Sequence, residues 1–408
     1  MSDGQKYSMR ECLMHAHELD RISCVSPLDT YVVHRFICAF VMDALQLPNK
    51  SARMKLLEQG RFDMNVFDEY IKMCEAEGVS FDLFDVKRPF MQAAYHSEYD
   101  VTDKPIAALL ADVPSGNNHI FLEHKMEGEH CLPPDEAFIK LLNCYVFCVA
   151  MTQQYPSSVN NTPCLYVVVH GKNMFETIVL GCVAIKEIGN LPYGKPSWRY
   201  STDVIPKKVW ASVDLLQGMT WQPRRVRLIK SDDKQVRRIV YMQGHSFNGN
   251  ALWRDPHVPY RMLKDGTYSS IKPASGRSLW RDLGGMAVSK ESRYGRQPQV
   301  VAALPDNWCM CRLTVTGLIT NKATIVDTVS EEMLIPCRIL NDEEHGDVLN
   351  RDLAFVEEVY RSTAKRSQAG LLQLWQKTCR TASLQQFVSI FLQPILISWI
   401  DARRKMTM

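Results

Sequence analysis

The period of the apolar residues changes twice along this chain, and that change restricts the fold more than any other feature. Ser8 followed by Glu11 forms a capping-box pattern ahead of Leu13, Ala16 and Leu19. Tyr31, Val32, Phe36, Ile37, Phe40, Val41, Ala44 and Leu45 then recur at helical spacing until Pro48. Further stripes run through Leu56 and Leu57 and through Phe67, Tyr70, Ile71 and Cys74 until Gly78. An irregular stretch with Pro89, Pro105 and Pro114 follows, and Pro133 with Pro134 opens an apolar helix expected over 135–151. Residues 153–163 (QQYPSSVNNTP) have no apolar period and read as a polar loop before a β-rich run at 164–169. From 207 to 320 the pattern is one of short strands and turns, with Cys311, Leu313 and Val315 alternating as one strand face. Helical spacing returns from Ser330, through Leu349, Leu353 and Val356, then Leu371, Leu374 and Trp375, then Leu384, Phe387 and Phe391. This order implies an α+β fold, with a large mixed α/β N-terminal domain over 1–329 and a small C-terminal helical bundle over 330–408.

Composition excludes several classes. The chain has 408 residues, 46% of them apolar and 23% charged, enough to bury a large core and too apolar for a disordered chain. The longest apolar runs, 141–151 and 387–400, fall short of the roughly 20 residues of a membrane span. The first residues lack the apolar core of a signal peptide, so a cytoplasmic location with reduced cysteines is expected. The thirteen cysteines contain no Cys-x-x-Cys pair and the eleven histidines are scattered, so no metal site is expected. Neither a Walker phosphate loop nor a dinucleotide fingerprint is present, and no nuclease-like carboxylate set stands out. No cofactor, no catalytic residue and no enzymatic activity are therefore assigned.

Charge is strongly segregated. Residues 1–206 hold 18 Lys+Arg against 26 Asp+Glu, a net of −8. Residues 207–296 hold 18 against 7, a net of +11, and residues 297–408 hold 12 of each. In the basic island Arg224, Arg225, Arg227, Lys230, Arg237 and Arg238 recur among aromatic residues such as Trp221, Phe247, Trp253, Tyr260 and Trp280. Guanidinium groups fork onto phosphates while aromatic faces stack bases, so this interleaving points to nucleic acid, with those six residues as candidate phosphate partners. The competing view is a solvated surface on which Arg stems cover buried rings.

Several segments, taken in order, resemble the large subunit (CasA) of the type I-E CRISPR surveillance complex, Cascade. They are residues 88–92 (RPFMQ), Val169-His170-Gly171, residues 196–198 (PSW), residues 220–223 (TWQP) ahead of Arg225 and Arg227, Leu252-Trp253 with residues 255–259 (DPHVP), and Trp280. The resemblance implies a non-catalytic subunit that binds target double-stranded DNA and reads the protospacer-adjacent motif mostly from the minor groove. It wedges the duplex open so that guide RNA can pair, and presents the loop to a separate helicase-nuclease. Other Cascade subunits are the implied neighbours, and no membrane is.

Carried over by position, the family's wedge hairpin falls on residues 317–325, with Asn321, Lys322 and Ala323 at its tip. An ordinary strand-to-helix connection is the plainer reading of the same residues. Lys322 stands where the best-known members have glutamine; it can hold a phosphate but accepts no hydrogen bond from a base. The family's glycine-rich motif loop corresponds to 155–161, which has no glycine here, and Asn160 and Asn161 become candidate motif readers. The minor-groove lysine has no counterpart, and His245 is the chargeable residue in that stretch. The positions of the zinc-binding Cys pairs of some members, 133–136 and 231–233, hold no cysteine. Relative to the family pattern, the strand before the first capped helix is missing and the helical tail is short, so both ends are expected to be trimmed. Two other classes compete: a nucleic-acid-processing nuclease, which metal-dependent cleavage would reveal, and an assembly subunit that touches only guide RNA and neighbours, which crosslinking to labelled duplex would separate.

Overall fold

The computed structural model describes residues 1, 3–110, 130–149, 158–160, 163–201, 203–206, 208–247, 253–275, 278–286, 295–321, 324–342, 344–356, 358 and 359. Two units are distinguished along the chain, Met1–Asn350 and Arg351–Met408. All elements below belong to the first. Of the second, 351–356, 358 and 359 are helical, and the expected bundle residues from 360 onward lie outside the described residues.

The helices begin where their caps stand. At α1 (Met9–Met14) the Glu11 amide donates to Ser8 Oγ and the Ser8 amide donates to the Glu11 carboxylate, closing the expected capping box. Ser26 caps α2 (Pro27–Leu45), with Pro27 in the first turn where its missing N–H is harmless. α2 ends on Gln46 in the left-handed region, two residues before Pro48. Asn49 and Asp63 cap α3 (Lys50–Gln59) and α4 (Met64–Ala76). α5 (Pro134–Phe147) starts as expected but ends at Phe147, with extended backbone at Cys148. α6 (Met174–Gly181) is apolar and buried, and α7 (Leu215–Met219) is a short buried turn that packs, like α6, against α2.

The strands are β1 (Asp103–Pro105), β2 (Tyr166–His170), β3 (Val209–Trp210), β4 (Arg224–Lys230), β5 (Val236–Gln243), β6 (Ser246–Phe247), β7 (Tyr260–Met262), β8 (Tyr268–Ser270), β9 (Gly295–Arg296), β10 (Met310–Asn321) and β11 (Thr324–Pro336). They form separate small sheets in the orders β1-β5-β4, β11-β10-β2, β3-β6 and β8-β7-β9. All pairings are antiparallel except β3 with β6. The mixed α+β class expected from the changing period is the class observed. The expected helical start at Ser330 is corrected: β11 runs through it to Pro336, and the next helix is Cys337–Asn341. A boundary at 329 would cut that strand.

α2 is buried almost all round and packs against α4, α5, α6, α7 and β10, which makes it the axis of the first unit. On one side Phe36, Phe90, Phe138 and Trp198 meet at 5.4 to 6.0 Å between ring centroids, mostly edge to face. Such pairs add about 0.5–1.5 kcal/mol each beyond buried area. The polar edge of this cluster is satisfied in series. Trp198 Nε1 donates to Tyr70 Oη (3.0 Å), Tyr70 Oη donates to Asp43 (2.5 Å), and Arg199 donates to both Asp43 oxygens.

Candidate nucleic-acid interface

β10 is held on one side by β2, from Arg312 opposite His170 to Thr316 opposite Tyr166, and on the other by β11 along its length. Its inward face is Cys311, Leu313 and Val315, all buried, as the alternation implied. Beyond Thr316 the described strand pairing continues with β11, so 317–321 and its partners form a two-stranded end of the sheet, buried through Ile319 and then exposed at Asn321, with a register irregularity between Ile319 and Thr320. At its root, a Cβ on Gly317 would lie 3.0 Å from Pro273 and 3.2 Å from the Cys164 carbonyl, so the backbone packs closely there. Asn321 is exposed and faces Thr324 across the pair. Lys322 and Ala323, which join them in sequence, lie outside the described residues. The segment is thus a strand-to-strand hairpin and not a strand-to-helix connection.

The basic island is less superficial than its charge suggests. Arg224 is fully buried and donates to Tyr241 Oη (3.1 Å), the Pro223 carbonyl (3.0 Å) and the Val149 carbonyl (3.0 Å). Arg225 is fully buried on the opposite side of β4. It donates to Asp203 (2.6 Å), Asp100 (3.2 Å) and the Val204 and Ala94 carbonyls, with its guanidinium 5.3 Å from the Tyr99 ring. The phosphate role expected of Arg224 and Arg225 is therefore corrected, because their donors are spent inside the protein. Arg227 is half-buried between the Tyr95 ring (5.3 Å) and Asp100 (3.5 Å). Lys230 is exposed, 5.0 Å from the Phe84 ring. Arg237 and Arg238 reach the surface, paired with Asp233 and Asp103 respectively.

Two expected motif readers are also engaged within the protein. Asn160 donates to Asp255 (3.0 Å) and Tyr166 Oη (3.3 Å) and accepts from Trp253 Nε1 (2.8 Å). Those bonds engage both ends of its amide, which corrects the motif-reading role given to it; Asn161 lies outside the described residues. His245 is buried between the Trp210 and Trp221 rings, 5.3 and 5.6 Å away. Burial pushes its pKa down to about 4, so it is neutral at physiological pH and out of reach of a groove, which corrects its role too.

Sequence reasoning missed the knot that organises this region. Arg35, from the apolar face of α2, forks onto Asp255 (3.0 and 2.9 Å) and also donates to Tyr31 Oη and to the Gly218 and Met219 carbonyls. Asp255 further accepts from the His257 amide and Asn160. Burial opposes its ionisation, but Arg35 outweighs burial and holds the carboxyl below its ordinary range. An arginine inside an apolar helical stripe was the available signal. Gly218 belongs to the same knot: a Cβ there would sit 2.1 Å from the Trp253 ring.

His34, Cys38 and His257 bring their ligand atoms within 4.8 Å of one another in the core. However, Nδ1 of His257 faces Tyr31 Oη (3.2 Å) and Nε2 faces the Gly181 carbonyl (2.9 Å), so both of its nitrogens are engaged. Among the described residues no other group of three or more metal-ligating side chains comes together, and no helix is long and apolar enough to cross a membrane.

The features above define a class: an α+β protein with a buried helical axis, small separate sheets, a long antiparallel hairpin and a partly internalised basic segment. The chain belongs to the family described as CRISPR-associated protein Cse1, which matches residues 2–385. It is similar to the CRISPR-associated protein CasA/Cse1 of Thermus thermophilus, with 26% identity over 369 residues, 86% of this chain and 71% of that protein. The solved Cse1 of Acidimicrobium ferrooxidans shares the fold with a TM-score of 0.73 and 21% identity, covering 90% of this chain and 75% of that one. A chain of a solved CRISPR RNA-guided surveillance complex does so with a TM-score of 0.72 and 18% identity, covering 91% and 79%.

Proposed function

We propose that this chain is the non-catalytic large subunit of a type I-E CRISPR surveillance complex. In this reading it binds target double-stranded DNA beside the protospacer-adjacent motif, opens the duplex with the hairpin tip at Asn321, Lys322 and Ala323, and presents the loop to a separate nuclease in the cytoplasm. Family membership and the likeness to a chain of an RNA-guided complex support the assembly with guide RNA and neighbouring subunits.

The observation that carries the wedge is the two-stranded end of the sheet beyond Thr316, which reaches the exposed Asn321. Separating stacked base pairs costs about 1.4 kcal/mol per step, so a wedge needs a stiff stem and polar tip groups to take the place of the lost stack. A twelve-residue strand paired along its length, with its root packed on Cys164 and Pro273, supplies such a stem. Lys230, Arg237 and Arg238 are the exposed or half-exposed cations that hold backbone phosphates in this reading, and Arg227 stands at their edge. The test uses the assembled complex with Asn321→Ala and Lys322→Ala and a motif-bearing duplex carrying 2-aminopurine beside the motif. The expected result is retained binding with fluorescence gain slowed at least tenfold. Opening at the original rate would refute the wedge.

A further inference from the structure

A cleft with a cavity volume of about 60 Å³ lies beside the aromatic cluster, floored by Phe90 and Trp198 and walled by Arg88, Ser80, Ser201 and Asp203. Holding one water takes about 10–15 Å³ by the same measure, so the cleft has room for a small ionic group. Its backbone is fixed. Met91 sits at φ 55°, an uncommon conformation for a residue with a side chain, and its carbonyl accepts from Tyr145 Oη (3.0 Å) and Gln222 Nε2 (2.9 Å). Gln92 donates to the Leu83 carbonyl (2.8 Å) and accepts from the Leu228 amide (2.7 Å), while the Arg88 amide donates to Asp85 (2.8 Å).

Within this rigid frame one group is left over. The Arg88 guanidinium is half-buried and makes no hydrogen bond or ion pair among the described residues. Burial lowers its pKa, and among the described residues the opposite charge acting on it is Asp203, whose oxygens are already taken by the Ala94 amide and Arg225. A partly desolvated cation without a partner is costly, and an incoming oxyanion that takes the planar fork would remove that cost.

The geometry points to Arg88 as the receptor for a single carboxylate, an Asp or Glu side chain of a neighbouring protein subunit in the complex. The charge around it selects a carboxylate over a nucleic-acid backbone. Asp203 already places a negative charge on the lining, so a run of phosphates would be repelled more strongly than one carboxylate. Val86, two residues away in sequence, is 84% exposed and offers an apolar side chain that suits a protein partner. The proposal rests on the chain being a subunit of a larger complex, and not on any contact with DNA.

The test measures docking of the full chain onto the remaining protein subunits assembled with guide RNA and without target DNA, so it reads out independently of duplex opening. Arg88→Gln should keep the melting temperature, weaken docking at least tenfold and flatten its salt dependence. Arg88→Glu should weaken it further, whereas a role of bulk alone would treat the two alike, and Arg88→Lys should lie between Arg88→Gln and the original protein because a point charge cannot fork. Unchanged docking, equal effects of Gln and Glu, or a lowered melting temperature would overturn the assignment. Normal docking of Arg88→Gln with weaker DNA binding by the docked particle would place a phosphate in the cleft and overturn it as well.

Discussion

The Arg35–Asp255 pair invites the sharpest test of how the first unit is held together. Both side chains are removed from water; Asp255 Oδ1 accepts from Arg35 and the His257 amide, while Oδ2 accepts from Asn160 and lies 2.9 Å from the second terminal nitrogen of Arg35. Asp255→Asn keeps the shape and removes the charge, leaving the guanidinium unneutralised. Breaking a buried pair from one side costs about 3–5 kcal/mol. At about 2–4 °C per kcal/mol for large domains, the melting temperature should fall by roughly 6–20 °C. The double replacement Arg35→Met with Asp255→Leu removes both charges, so it should cost less than the sum of the two single changes. What it does leave, the Gly218 and Met219 carbonyls without their donor and the His257 amide and Asn160 without their acceptor, costs about 1–3 kcal/mol for each group that stays unsatisfied.

Urea unfolding at pH 7 followed by circular dichroism measures the cycle. Additive single costs, or a loss below about 1 kcal/mol for Asp255→Asn, would refute the reasoning. The pH dependence gives a second reading. The folded carboxyl titrates below its ordinary range, so its contribution is fully present above the unfolded value of about 3.9 and is lost as pH falls through the lowered folded value. The gap between the original protein and Asp255→Asn should therefore narrow in acid.

Two further outcomes follow from depth and charge. Arg225→Ala should cost about 3–5 kcal/mol because Asp100 and Asp203 lose their shared cation. Lys230→Ala should leave stability unchanged and reduce the salt slope of duplex binding by about one, an unaltered slope counting against a phosphate at Lys230. His170, His245 and His257 all have pKa values pushed down to about 4 by burial. Stability should therefore fall as pH drops from 6.5 toward 4, with a slope of up to about 1.4 kcal/mol per pH unit for each histidine. Urea midpoints across that range should show a shallower fall for His245→Phe, and an identical fall would mean that His245 is not buried in its neutral form.

How far each feature could be read from the sequence depends on how local its cause is. The capping box at Ser8 and Glu11 and the stop before Pro48 act within a few residues, so α1 begins and α2 ends where those signals place them, although α1 closes at Met14 and leaves Ala16 and Leu19, expected on that helix, beyond it. β11 gave no such signal. It is an outer strand on which Ile335 alone is buried, so no run of core residues marked it, and its partner β10 decides its conformation. The hairpin tip was found by likeness to a family, because nothing in the composition of 317–325 separates a wedge from a turn.

Depth was the quantity sequence reasoning could not reach. A count of charge in 207–296 treats every arginine as surface, yet β4 is covered on both faces, so Arg224 and Arg225 are buried side by side where alternation would expose one of them. Their burial is permitted by partners far away in the chain. Arg225 meets Asp100 across 125 residues, and Arg35 meets Asp255 across 220. Burying a cation without such a partner would cost several kcal/mol, so the distribution of carboxylates decides which basic residues remain outside. By that criterion some of the acidic excess of 1–206 and some of the basic excess of 207–296 neutralise each other within a single internal network. The proposed DNA contact is then left with the smaller set of exposed cations at the end of β4 and on β5, together with the proposed hairpin tip.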